Sequence, residues 1–92
     1  MRALVLDNAT RKELDDLPDK HFRQVISALF SLLKDPRPAD SRLLSGFPFY
    51  RISVGEYRVV YDYTDQQVRI VAFGKRNDNE VYKLLKRKTH ST

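Results

Sequence analysis

The run from Phe47 to Arg76 constrains this 92-residue chain most. It reads FPFYRISV, GE, YRVVYDY, TDQQ, VRIVAFGKR: three apolar, β-branched or aromatic segments divided by two short polar breaks. Segments of that composition suit a pleated, half-buried surface, and breaks so short join antiparallel neighbours. Glycine leading the two-residue Gly55-Glu56 break fits a type II′ turn. That turn sets Val54 opposite Tyr57, Ile52 opposite Val59 and Tyr50 opposite Tyr61, all on one apolar face. Arg51 and Arg58 then fall on the other face as diagonal neighbours, about 7–8 Å apart at the backbone. A slip of one residue would bury both arginines, so the hydrophobic pattern argues for this register.

The second break extends the same reasoning. Pairing Thr64 with Gln67 places Tyr61 opposite Ile70 and Val59 opposite Ala72 on the core face. On the arginine face Asp62 meets Arg69, and Phe73 meets Arg58. That face then also carries Val60, Val71 and Phe73, a flat apolar floor beside cations on which a nucleobase could lie while its phosphate is held. Gly74 breaks the strand and delivers Lys75 and Arg76 near Arg58. Tyr50, Tyr57, Tyr61 and Tyr63 read as core-face residues with hydroxyls in water.

Upstream, Arg2–Leu6 is compatible with a strand, and Asp7 or Asn8 can cap a helix running through Leu14 and Leu17. Pro18 suits the first turn of a second helix. There Phe22, Val25, Ile26, Leu29, Phe30 and Leu33 recur at helical spacing and form one face. The DPRPAD stretch at 35–40 ends it, since Pro36 cannot continue a helix and pushes Asp35 to an extended shape. Asn77 or Asp78 can cap a short final helix. The order β-α-α-β-β-β with that helix is an α+β arrangement, a small antiparallel sheet with helices packed on one face. Residues 1–88 read as a single domain and 89–92 as a basic, polar tail without order.

With charged residues at 32% and hydrophobic ones at 41%, the chain reads as soluble and globular. No apolar run approaches the ~20 residues of a membrane helix. The first ten residues lack the apolar stretch of a secretory signal, and the absence of cysteine fits a cytoplasmic location. Residues 1–46 hold eight Lys/Arg against seven Asp/Glu; residues 47–92 hold nine against five. The cationic excess therefore sits on the strand half, pointing to an acidic partner such as nucleic acid. His21 and His90 read as solvated, and Asp15, Asp16 and Asp19 cluster at a helix junction without further ligands; neither group implies a metal or other cofactor.

The order and motifs together resemble the RelE/ParE toxin superfamily of bacterial toxin–antitoxin systems over nearly all of residues 1–88. The likeness is carried by Leu17-Pro18 between two helices, L-x-G-x-P-x-Y-R-I from Leu44 to Ile52, G-E-Y-R-V-V-Y from Gly55 to Tyr61, and G-K-R-x-x-x-E-V-Y from Gly74 to Tyr82. It implies a toxin that cleaves mRNA in the ribosomal decoding site and is silenced by a bound antitoxin. It also implies working residues: Arg51 at the first of two lysine positions, Arg58 on the Y-R-V-V-Y strand, Arg76 in G-K-R, and Tyr82 as the late tyrosine. Ser53 stands at the second lysine position, a departure from the family pattern. Ser53, Phe73, Lys75, Lys83 and Lys86 make up the expected RNA-binding set around those four.

RNA cleavage by this route needs the ribose 2′-OH to lose a proton, charge on the phosphate to be offset, and the departing oxygen to be protonated. Arginine suits the second task and is a poor base. Tyr82 could accept the proton if cations lower its phenol pKa from about 10. Other readings stay open: Tyr82 as core filler on the last helix, Arg58 as a packed arginine paired with Asp62, Arg69 as a surface salt bridge. At the level of the whole chain the alternatives are a ParE-like inhibitor of DNA gyrase, or a nucleic-acid-binding module without activity.

Overall fold

The computed structural model describes residues 1–75 together with Lys83, Leu85 and Lys86. Elements run β1 (Ala3–Leu6), α1 (Asn8–Asp15), α2 (Asp19–Lys34), β2 (Arg42–Leu43), β3 (Tyr50–Val54), β4 (Tyr57–Tyr63) and β5 (Gln67–Lys75). The five strands form one sheet in the order β1-β5-β4-β3-β2. Its pairs are antiparallel except β1 with β5, which are parallel. This is the expected α+β fold, with the first and last of these strands paired in parallel at one edge of the sheet.

Local chemistry explains the elements. Asp7 is the N-cap of α1, its carboxylate accepting the Thr10 amide at 2.7 Å. Pro18 immediately precedes α2 and accepts the Phe22 amide through its carbonyl, at 2.9 Å. Asp35 is extended at the far end, ahead of Pro36. The α2 stripe turns on Val25, Leu29, Leu32 and Leu33, all buried, while Phe30 is 56% exposed. The sequence periodicity put Phe30 on the buried face. The sheet instead meets a stripe that drifts toward Leu32, because steps of three and four residues do not close evenly on 3.6 per turn.

The β3–β4 register is the expected one, Val54 with Tyr57 through Tyr50 with Tyr61, and Gly55 has φ +57° as a primed turn needs. In β4–β5 the expected register holds from Tyr63–Val68 to Tyr61–Ile70 and then shifts, with Val60 opposite Ala72 and Val59 opposite Phe73. Val71 is the extra residue of this bulge. Between the sheet and the helices lies the main core, including Leu14, Val25, Leu29, Val59, Tyr61, Ile70 and Phe73. A second, smaller core occupies the other side, where Leu44 and Leu85 bury Val60, Val71 and Ala72, flanked by Phe47 and Phe49. Lys83, Leu85 and Lys86 are helical, and Leu85 therefore stands on the side opposite α1 and α2.

Tyr61 has no wet hydroxyl. It is fully buried and donates to the Pro36 carbonyl at 2.6 Å, tying the loop after α2 to the sheet. Tyr61→Phe is expected to lower the unfolding free energy by about 1–2 kcal/mol in denaturant titration, because the Pro36 oxygen loses its donor in a buried place. Burial pushes the Tyr61 phenol up to about 12. A raised folded value means that this contribution is intact below about pH 10 and is lost as the pH climbs toward 12, a decline the phenylalanine variant lacks.

Candidate functional site

The outward side of β3 and β4 carries Arg51, Ser53 and Arg58. Ser53 pairs with Arg58 and Arg51 with Val60, so the two arginines are diagonal neighbours as the turn chemistry requires. Both are half-buried and Ser53 is exposed. In Arg58 the Nε atom itself is buried. Arg51 forms no ion pair among the described residues. Further along the same face, Arg69 donates to Asp62 through Nε at 3.1 Å and through Nη2, a two-point fork. That bond raises the pKa of Arg69 further and engages both oxygens of Asp62. Arg69 is thus the salt-bridging residue the sequence indicated.

The structure corrects the expected nucleobase floor. Phe73 is 4% exposed, lies in the main core opposite Val59, and stacks on Tyr57 with centroids 5.2 Å apart. The bulge moved it across the sheet and brought Gly74 opposite Arg58 in its place. Val60 and Val71 stay on the arginine side but are covered by the second core. Lys75 is exposed at the same end of the sheet; it pairs with Tyr57 and so alternates to the helix side. Lys83 and Lys86 are exposed on helical backbone either side of Leu85. Arg76 and Tyr82 lie outside the described residues, as does the tail at 89–92.

Two other tyrosines are unsuited to act as bases. The Tyr57 phenol is pushed up by burial and by adjacent Glu56, and Tyr61 by burial. His21 is not simply solvated. Its Nδ1 lies 2.8 Å from the Tyr57 hydroxyl and 3.9 Å from Glu56, which joins α2 to the β3–β4 hairpin. Among the described residues no group of three His, Asp or Glu side chains is arranged to hold a metal ion.

Residues 4–80 match the family described as the ParE toxin of the type II toxin–antitoxin system parDE. The chain belongs to the RelE/ParE toxin family. It is a type II toxin with a RelE-like fold. A form of the E. coli toxin RelE with two arginines replaced by alanine, in the free state, shares 31% identity at a TM-score of 0.75, with 94% of this chain and 96% of that one covered. The RelE–RelB complex of Pyrococcus horikoshii OT3 gives 26% identity and 0.72, over 84% and 97%. The intact E. coli RelBE toxin–antitoxin complex gives 30% and 0.69, over 82% and 96%. No curated protein sequence matches the chain.

Two features of this toxin escaped the sequence reading. One is β2, whose two residues pair with Arg51 and Tyr50 and steady the start of β3. The other is a groove of about 390 Å³ on the outer side, lined by Val5, Phe49, Arg69 and Val71 among others. The only sequence hint for the second was the unbroken apolar run Ile70–Phe73, which is longer than a strand with one wet face requires.

Proposed function

We propose that this toxin is a ribosome-dependent endoribonuclease that cleaves mRNA and so stops translation. The observation that carries the reading is the pair Arg51 and Arg58, set diagonally on adjacent strands where two guanidinium heads can close on one phosphate. The likeness to RelE chains over more than four-fifths of the sequence supports it over gyrase inhibition. In the proposed reaction the ribose 2′-oxygen bonds to phosphorus as the bond to the 5′-oxygen breaks, giving a 2′,3′-cyclic phosphate and a 5′-OH. Arg51 and Arg58 hold the phosphate and offset its growing charge. Tyr82, as phenolate, takes the 2′-OH proton, a solvent water protonates the departing 5′-oxygen, and Arg76, next in the chain after Lys75, offsets the charge on that oxygen. Ser53, Lys83 and Lys86 complete the RNA contacts; a hydroxyl at Ser53 can donate to the phosphate but brings no charge. The ribosome supplies the alignment of the message, so the isolated protein is slow.

A cognate antitoxin is the second proposed partner, forming a toxin–antitoxin hetero-oligomer in the cytoplasm. The outer groove, with exposed Val5 on the edge strand β1, offers apolar contact, and the basic surface suits an acidic amphipathic segment.

The test is primer-extension mapping of messages on translating ribosomes. Tyr82→Phe should lower cleavage by about 10²–10⁴-fold while ribosome binding is retained. Cleavage at the wild-type rate would remove the tyrosine from the mechanism, and intact messages with the wild-type protein would remove the reading altogether.

A further inference from the structure

At the start of β3, on the helix side of the sheet, two arginines bracket two tyrosines. The Arg37 guanidinium lies 4.2 Å from the centroid of the Tyr50 ring. Tyr50 and Tyr63 are 5.5 Å apart and tilted by 38°. Arg2 completes the row, 5.8 Å from the Tyr63 ring. Both tyrosines and Arg2 are half-buried, with 22% of the Arg2 side chain exposed, and Arg37 is exposed. This row occupies the opposite side of the sheet from Arg51 and Arg58, and the opposite end from the Gly55 turn that Arg58 adjoins.

The way the two arginines are held separates them from Arg69. Arg2 is anchored through Nε, which donates to the Thr64 carbonyl at 2.7 Å; Arg37 is anchored through Nε to Ser41 Oγ at 3.2 Å. Ser41 is itself buried and fixed to the Pro38 carbonyl. In each case the nitrogen nearest the backbone serves the fold, and among the described residues the terminal nitrogens make no hydrogen bond, which leaves them for a phosphate. The fork of Arg69, by contrast, is occupied by Asp62. The nearby carboxylates compete weakly. Asp65 is fully exposed and 3.9 Å from Arg2, and Asp35 accepts the Arg37 amide within its own turn. The Arg37 guanidinium, exposed and lying over a phenol ring, is a flat cation on which an unpaired base can stack.

We propose that the Arg2–Tyr63–Tyr50–Arg37 row is a second RNA-contact surface, gripping the backbone of a single strand at two phosphates and stacking a base on the exposed Arg37 guanidinium. The proposal rests on RNA being the partner of this toxin and does not need the cleavage step. The surface would anchor RNA away from the scissile bond, either a further stretch of message or an exposed strand of ribosomal RNA.

The full chain carrying Tyr82→Phe, so that RNA survives, is titrated with a fluorescent 20-nucleotide single-stranded RNA and separately with purified ribosomes, across a salt series. Arg2→Gln with Arg37→Gln should reduce the salt slope by about 1.5, the loss of two phosphate contacts at roughly 0.7 to 0.9 each. Arg37→Lys should keep the slope that the glutamine variants lose, and Asp65→Asn should tighten binding, an effect a purely structural row would not produce. A reduced slope with the oligonucleotide assigns the row to message, and one with ribosomes alone to ribosomal RNA. An unchanged slope with both, in glutamine variants that melt normally, overturns the proposal. So does a slope unchanged for RNA but reduced for an acidic polyglutamate peptide. Arginine-dependent RNA binding by a wild-type protein that cuts nothing would refute the nuclease reading while leaving this surface in place.

Discussion

Arg58→Ala should lower mRNA cleavage on translating ribosomes by about 10²–10³-fold, the loss seen when one preorganised charge-stabilising donor is removed. The expectation follows from where the bulge puts this side chain. Had the β4–β5 ladder kept its first register, Phe73 would stand beside Arg58 and occupy the space into which a phosphate must come. The extra residue Val71 sends Phe73 into the core and sets Gly74 there, a neighbour with no side chain. Bulges recur beside functional sites for this reason: one inserted residue re-aims every side chain that follows. Arg58→Lys keeps the stem and the charge but loses the planar fork, and should fall between wild type and alanine. Because Arg58 is half-buried, thermal melting of each variant accompanies the cleavage assay. Alanine protein that melts normally and cuts at the wild-type rate would take Arg58 out of the site.

The same bulge marks the boundary of what the sequence discloses. Turn chemistry at Gly55-Glu56, alternation in YRISV and from Tyr57 to Val59, and the Asp62–Arg69 pair specify the register wherever one side of the sheet is apolar and the other polar. From Ile70 to Phe73 every residue is apolar because both sides are buried there, by α2 on one and by Leu44 and Leu85 on the other. Period-two reasoning then has no signal with which to detect an added residue. The cover over the outer side comes from segments without a strong pattern of their own: the turn from Leu44 to Phe49, and Leu85 near the end of the chain. The arginine pair was legible since it falls in the alternating region, and the nucleobase floor was not, since it falls outside. The Arg2–Tyr63–Tyr50–Arg37 row joins residues far apart in the chain, which only the parallel pairing of β1 with β5 brings to one end of the sheet.

Stability should depend most on the residue at the middle of the α2 stripe. Leu29 is 1% exposed and sits in the main core between helix and sheet. Leu29→Ala removes three carbons from a place that the surrounding strands cannot close, and should cost about 3–4 kcal/mol, the transfer term plus the cavity left behind. For a domain of this length that corresponds to a fall in Tm of roughly 12–30 °C, at 4–8 °C for each kcal/mol. Phe30→Ala is the matched control. It deletes a larger side chain from the adjacent position, yet at 56% exposure little of that side chain is withdrawn from water, so the change should stay within about 0.5 kcal/mol. By composition and helical spacing the two residues look alike, and the sheet alone tells them apart. Denaturant titrations that rank Phe30→Ala as the more damaging would mean that α2 is rotated about its axis relative to the packing described, and with it the loop that Pro36 fixes to Tyr61.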